Sequence, residues 1–384
     1  MLALFVLTWF ATLEQTVEGL QPMMRKYFDW KTLFFFPIIG KPFSAGPPEP
    51  MTVYFPMPSG FWLCALFTLN LTLGGLIKIR KGWKRAGNLL VHFSVVFLMV
   101  AAGVTHFQED RGTMMLWEGD KSNYARDYFA EVIEISEMEE GKVSEVHVID
   151  WAYLEKMRGD DERLFRMANL PFDLLVSDRM ANAVAQSKSF RNPAKGAEIV
   201  DGFWLQELER EKNAELQQGG CVVELKSKDG ESAGKALLAV RSYEPATVEF
   251  EGQKYLIALR KKLWPLPFTV QLDEFRVERD PGTNRAAAYE SDVTRIEEAS
   301  SEEVLIQMNE PMRKDGWTFF QASWGPEDEP NPEKYFSVFE VVNNPADQWP
   351  LYSLMVAMVG LFWQFGQSFV SFATKSKTPK KSSS

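Results

Sequence analysis

Three histidines are the residues of this chain best suited to bind a metal or move a proton, and His92 has the most unusual setting. It lies inside an apolar run of membrane-spanning length, residues 88–107, which follows the basic stretch 78–87. Ionisable side chains within a bilayer are costly and usually face a partner, a cavity or a ligand. Neutral imidazole is also a common metal ligand. His92 therefore has two interpretations: a cofactor ligand, or a buried side chain hydrogen-bonded to a neighbouring helix through Asn70 or Thr72.

The other two histidines have weaker claims to chemistry. His106 ends the same apolar run, and the spacing from His92 corresponds to about 21 Å along a helix, so the two cannot bind one iron together. His106 is either an interfacial polar residue or a ligand at the outer membrane face. His147 lies between Val146 and Val148 in an alternating segment, which is typical of an ordinary strand residue.

Apolar runs organise the chain as a membrane protein. The runs 60–77, 88–107 and 350–372 reach the roughly 17–25 residues that a spanning helix needs. A shorter run, 2–13, is expected to be a partial or tilted span. The predicted organisation is a short first transmembrane segment (1–19), an extracytoplasmic proline-rich loop (20–59), a transmembrane hairpin (60–107) with a basic cytoplasmic turn (78–87), an extracytoplasmic β-rich domain (108–349), a last transmembrane helix (350–373) and a basic cytoplasmic tail (374–384).

Charges beside the spans predict the orientation. The turn 78–87 carries five lysines and arginines and the tail 374–384 carries four lysines, with no acidic residue in either. Basic residues next to spans favour the cytoplasmic side, which predicts a multi-pass protein of the inner (cytoplasmic) membrane in contact with lipid. Without these nine charges the net charge of −10 becomes −19, so the large segment 108–349 is acidic and extracytoplasmic. Its acidity argues against nucleic acid as a partner and suits basic protein partners.

The segment 108–349 has the alternation of apolar and polar residues that is typical of β-strands. The predicted strands are 128–136, 144–150, 221–227, 236–243, 246–252, 268–278, 304–309 and 335–342. A helix is predicted at 203–218, which is rich in helix formers. The fold class is therefore a membrane protein with α-helical spans, three clear and one short and N-terminal, and a large mainly-β extracytoplasmic domain. In the loop 20–59, prolines between Pro37 and Pro58 disfavour a regular helix.

Familiar catalytic patterns are absent from the sequence. It contains no GxSxG, HExxH, P-loop or dinucleotide-binding fingerprint. Cys64 lies in a predicted span, Cys221 lies in the β-rich segment, and there is no CxxC, so nothing indicates thiol–disulfide chemistry by this chain. No catalytic residue is predicted, and the chain is not expected to act as an enzyme alone.

Several separated blocks resemble the ResB/CcsB family of cytochrome c biogenesis proteins. They are LTWFATLEQTVEGLQPMMRKYF (7–28), the hairpin 60–104, PGTNRAAAYESDVTRIE (281–297), VLIQMNEPMRKDGWTFFQASW (304–324) and the strand-to-span junction 338–361. Two departures occur within the block 304–324: Met312 replaces the leucine of the family's N-x-P-L pattern, and Phe320 stands where tyrosine often precedes the glutamine at 321.

The resemblance implies a four-span System II cytochrome c biogenesis subunit that works with a CcsA/ResC-like membrane protein. The pair would carry haem across the membrane and attach it to apocytochrome c as a two-subunit synthetase, and a thiol-reducing protein would act indirectly. His92 matches the family's third-span histidine, an axial ligand of haem b iron that is shared with the partner subunit, and His106 is a second candidate ligand. The alternative is a membrane-anchored β domain that serves as a structural or ligand-binding subunit of an envelope or respiratory complex, without haem chemistry.

Overall fold

The computed structural model describes residues 1–31, 33–39, 53–139, 142–157, 159, 161–242, 244–282, 285–327 and 332–375. The chain divides into two compact units. The membrane unit comprises Met1–Asp110 and Asn343–Ser384, and the outer unit comprises Arg111–Val342.

The helices are α1 (Leu2–Glu18), α2 (Leu20–Met23), α3 (Gly60–Leu71), α4 (Ala86–Gln108), α5 (Trp151–Leu154) and α6 (Trp349–Lys375). π-helical turns follow α2 at Met24–Phe28 and α3 at Thr72–Ile77, and short 3₁₀ turns lie at Trp83–Arg85 and Ala214–Leu216. The strands are β1 (Leu33–Ile39), β2 (Val53–Pro58), β3 (Asp110–Trp117), β4 (Lys121–Glu139), β5 (Lys142–Ile149), β6 (Arg163–Phe165), β7 (Phe172–Met180), β8 (Ala183–Ser187), β9 (Phe203–Glu207), β10 (Gly220–Ser227), β11 (Ser232–Ala239), β12 (Ala246–Phe250), β13 (Gln253–Arg279), β14 (Ala286–Ile296), β15 (Ser301–Gln307), β16 (Met312–Lys314), β17 (Trp317–Gly325) and β18 (Phe336–Asn343).

Three helical segments of the described chain are long and apolar enough to cross a membrane: Gly60–Ile77, Trp83–Gln108 and Trp349–Thr374. A shorter apolar helix covers Leu2–Thr16. The sequence prediction of three clear apolar spans and one short N-terminal segment is confirmed. Much of the proline-rich stretch lies outside the described residues, and the described parts beside it form the antiparallel pair β1–β2.

Helices α4 and α6 pack together through small residues spaced seven apart. On α4 the buried positions are Gly87, Ser94 and Ala101. A Cβ added to Gly360 of α6 would lie 2.8 Å from the carbonyl oxygen of Gly87. The hydroxyl of Ser353 donates to the carbonyl oxygen of Ser94 at 2.7 Å. Small residues let backbones approach closely in lipid, where packing drives helix association, so this seam fixes the orientation of α4.

The outer unit is built on a ten-stranded sheet with the order β15-β14-β13-β4-β3-β18-β17-β16, to which β12 adds beside β13 and β5 adds beside β4. A four-stranded sheet, β11-β10-β7-β6, and the pair β8–β9 complete it. The described residues of the outer unit form three apolar cores. One joins residues from both larger sheets, such as Ile135 and Leu174, a second includes Val270 and Phe339, and a smaller one includes Leu205.

The mainly-β architecture is confirmed, but the predicted helix at 203–218 is wrong. Phe203–Glu207 forms β9, paired with β8, and only Ala214–Leu216 makes a single 3₁₀ turn. Trp204 and Leu205 are buried in this strand. Helix propensity is a weak prior that tertiary burial overrides, and here the burial of two large side chains beside β8 decides the outcome.

Candidate functional site

His92 lies in the first third of α4 and packs directly against the backbone of Gly75, in the π-helical turn Thr72–Ile77. A Cβ added to Gly75 would lie 2.6 Å from Nδ1, 2.9 Å from Cγ and 3.2 Å from Cβ of His92. Real Cβ atoms essentially never approach another heavy atom to less than 3.0 Å. The imidazole therefore occupies space that exists because residue 75 has no side chain.

Nδ1 of His92 is the ring nitrogen nearest to Gly75. It is buried and has no hydrogen-bond partner among the described residues. An unsatisfied buried polar atom typically costs about 1–3 kcal/mol, and such an atom calls for an explanation beyond packing. The part of the chain that the structure describes thus leaves this imidazole without an internal partner.

The alternative interpretation of His92, a hydrogen bond to Asn70 or Thr72, is not what the structure shows. The Thr72 hydroxyl donates instead to the carbonyl oxygen of Thr68 in its own helix, at 2.8 Å. The amide oxygen of Asn70 lies beside Gly74, 3.9 Å from where a Cβ would stand. Both polar groups therefore face their own helix.

A π-helical turn presents Gly75 to α4. The backbone N–H of Lys78 donates to the carbonyl oxygen of Leu73 at 2.9 Å, five residues back, as in a π-helix. Such turns are rare and frequently occur at functional sites. The widened turn and Gly75 allow the close approach of the His92 ring.

His106 lies near the opposite end of α4 and is exposed. Its ring centroid is 4.9 Å from that of Phe107 and 6.2 Å from that of Phe61, at the start of α3. The described residues therefore place His106 in an aromatic cluster at this end of the helix. The structure does not bring it to His92, since both lie on one continuous helix.

His147 lies on β5 in the outer unit, as the sequence alternation predicts. Its Nε2 atom is 3.6 Å from the Glu137 carboxylate and 4.0 Å from the Glu145 carboxylate. Both separations exceed a hydrogen bond, and Nε2 has no partner among the described residues. The described chain contains no group of three or more His, Cys, Asp or Glu side chains arranged to hold a metal ion.

Cys221 is buried on β10 and is not disulfide-bonded. Burial raises the pKa of its thiol to about 12. The thiolate is the reactive form of cysteine, so this side chain is chemically inert in the folded outer unit.

Two residues of the blocks that resemble the ResB/CcsB family meet in the core of the outer unit. Ser291 Oγ lies 2.8 Å from Gln321 Oε1 and 2.9 Å from Ser337 Oγ, and Gln321 Nε2 donates to Ser337 Oγ at 2.8 Å. All three side chains are buried. They join β14, β17 and β18, so these motif residues are structural. Sequence reasoning missed Ser337, because its partners lie on distant strands.

A buried ion pair in the outer unit was also not predicted. Arg179 Nη2 donates to Glu131 Oε2 at 2.6 Å, and the two side chains are 5% and 3% exposed. Lys261 Nζ lies 3.2 Å from Glu131 Oε1, and the same oxygen accepts the backbone N–H of Gly219 at 3.0 Å. The sequence contains one signal for this buried carboxylate: Glu131 lies two residues before Ile133 on β4, so both side chains point to the same, inward face of the strand.

Comparison with known proteins supports the family resemblance. Residues 237–332 match the ResB-like family; this segment runs from the end of β11 past β17 and includes Ser291 and Gln321. No curated protein matches the chain. The chain therefore contains a ResB-like region, and the resemblance to the ResB/CcsB family that the sequence predicts is confirmed.

Proposed function

We propose that this chain is a cytochrome c biogenesis subunit that handles haem together with a CcsA/ResC-like membrane protein. At the level of the family, cytochrome c biogenesis follows from the ResB-like match. The proposal of haem handling rests on one observation in the membrane unit: His92 has a buried Nδ1 without a partner and packs on Gly75, in a helix apolar enough to span a bilayer.

The surroundings of His92 fit a haem ligand. A neutral imidazole binds iron through one nitrogen and keeps a proton on the other. With Nδ1 enclosed against Gly75, Nε2 is the nitrogen left for an external ligand. His92 of this chain would hold the haem together with a residue of the partner. When bound, haem supplies the vinyl groups to which the cysteine thiols of apocytochrome c are joined.

We infer an orientation with the basic turn 78–87 in the cytoplasm and the outer unit on the opposite side of the inner membrane. The five lysines and arginines of that turn support it. His92 lies seven residues after Arg85, about 10 Å along the helix, and hence in the cytoplasmic half of α4. His106 lies near the outer end and is the second candidate ligand, next to Phe61 and Phe107.

The outer unit would hold apocytochrome c near the site of haem attachment. Its sequence is acidic overall, and a field of one sign raises the local concentration of oppositely charged partners, so basic segments of the apoprotein would be attracted. Cys221 is fully buried and its thiol has a raised pKa, so this cysteine does not supply electrons to the substrate. A separate thiol-reducing protein is therefore part of the proposal.

Co-expression with a CcsA/ResC-like partner tests this function. The purified complex should show a haem absorption spectrum, and His92→Ala should remove most of it and abolish cytochrome c maturation. His147→Ala is the matched control, since that histidine lies in the outer unit, and it should retain both. If His92→Ala leaves haem content and maturation unchanged, the ligand role is refuted. Absence of haem in every complex, with normal maturation after deletion of the gene, would favour the alternative of a structural subunit without haem chemistry.

A further inference from the structure

Two adjacent glycines in the π-helical turn of the membrane unit have very different surroundings. A Cβ on Gly75 would meet three atoms of His92 at 2.6, 2.9 and 3.2 Å. A Cβ on Gly74 would meet only Asn70 Oδ1, at 3.9 Å, which is ordinary van der Waals contact. Residue 75 must therefore be glycine for His92 to keep its position, whereas residue 74 need not be.

The conflict at Gly75 is not confined to the mobile end of the imidazole. The third atom, Cβ of His92, is attached to the backbone of α4 and cannot move by rotation of the ring alone. The 3.2 Å contact with Cβ needs only a small separation of the two segments, whereas the contacts with Nδ1 and Cγ, at 2.6 and 2.9 Å, require the side chain to turn away. Since α4 is also held against α6 at Gly87 and Ser94, turning of the ring is the main response to a methyl group at position 75.

No hydrogen bond fixes the His92 ring among the described residues. Metal-binding histidines usually donate their second ring nitrogen to an acceptor, which sets the orientation of the ring. Here the backbone of the π-helical turn occupies the place of that acceptor. Ring orientation must then come from shape, and the close packing on Gly75 supplies it.

We propose that Gly75 is the positioning residue for His92: its missing side chain seats the imidazole with Nδ1 against the π-helical turn and leaves Nε2 to the ligand. This inference rests on the proposed haem-ligand role of His92 and adds a second residue to that site. Gly75 itself does not touch the iron and acts only through the ring.

The test compares Gly75→Ala with Gly74→Ala in the full chain, co-expressed and purified with the CcsA/ResC-like partner. Both substitutions add one methyl group to the same turn and bring the same gain in helix propensity. Gly75→Ala should weaken haem retention about 10- to 100-fold, the range seen when a group that orients a metal-binding histidine is lost. It should also change the low-spin absorption and electron paramagnetic resonance signals of residual haem. Gly74→Ala should match the wild type.

A double variant separates positioning from general damage. In a His92→Ala background no ring remains to be displaced, so Gly75→Ala should cause no further loss of haem or of complex yield. If Gly75→Ala alone prevents accumulation of the complex, recovery in the double variant still identifies the ring as the clashing group. Failure of the double variant to recover would overturn the inference.

The remaining outcomes distinguish this inference from the proposed function. Wild-type haem spectra in Gly75→Ala, together with haem loss in His92→Ala, would refute the positioning role and leave the ligand role intact. Equal losses in Gly74→Ala and Gly75→Ala would also refute it, since they would reflect a general requirement of the turn. Unchanged haem in His92→Ala would refute the ligand role itself.

Discussion

Replacing Glu131 by glutamine tests how strongly the outer unit depends on its buried ion pair. Glutamine keeps the shape of the side chain and an oxygen that can accept the backbone N–H of Gly219, now 3.0 Å from Oε1. It removes the charge that faces Arg179 at 2.6 Å. Arg179 is only 5% exposed and would be left as a buried cation without a counterion, whereas Lys261 is 15% exposed and also donates to the carbonyl oxygen of Tyr128.

The expected effect is large. Breaking a buried pair by removing one partner costs about 3–5 kcal/mol. For a domain of this size, each kcal/mol lowers the unfolding midpoint by roughly 2–4 °C, which gives a decrease of roughly 6–20 °C. The measurement is thermal unfolding of the full chain in detergent, followed by circular dichroism of the strands. Hydrogen exchange of the Gly219 amide reports the local loss.

Glu274→Gln provides the control on the same sheet. Glu274 pairs with Arg276 at 2.9 Å, but the two side chains are 62% and 40% exposed. Exposed pairs contribute about 0–1 kcal/mol, so this variant should unfold close to the wild type. If Glu131→Gln shifts the midpoint no more than Glu274→Gln does, the reasoning from burial is refuted.

Three further predictions concern the outer unit. Ser337→Ala removes the nearer of two acceptors of Gln321 Nε2 and should destabilise the unit by about 1–3 kcal/mol, measured by thermal unfolding; an unchanged midpoint would contradict the buried network. Cys221, whose pKa is raised to about 12 by burial, should resist alkylation at pH 8 until the protein unfolds. Since unfolding frees this thiol to ionise near its ordinary value of 9.0, stability should fall as pH rises from about 9 towards 12, and Cys221→Ala should lessen that fall. The pKa of Asp150 is lowered by the Ala152 backbone N–H and by Lys262. The Asp150 carboxylate therefore adds to the free energy of unfolding above the ordinary pKa of 3.8, and this stabilisation is lost as pH falls through the lower folded pKa. Asp150→Asn should make stability depend less on pH in this acid range, and an unchanged dependence would contradict the prediction.

Local periodicity of the sequence predicted some strands of the outer unit and missed others. Alternation of residue types predicted β5, β10 and β18, and in β18 burial alternates too, because one face lies towards a core. It did not predict β17, whose first residues, Trp317 to Phe319, are all buried and therefore do not alternate. At residues 203–218 composition favoured a helix, and the pairing of β9 with β8 overrode it.

The sequence by itself determined that His92 lies in an apolar helix able to span a membrane and that a large β-rich segment separates two of the spans. Those features depend on neighbours within a few turns or a few strand residues, which the sequence displays directly. Only the tertiary structure decided that Gly75, and not Gly74, seats the imidazole. It also decided that Asn70 and Thr72 turn away, and that Glu131 meets Arg179 across 48 residues of chain. Such pairings are set by how helices cross and strands register, and no local periodicity records them.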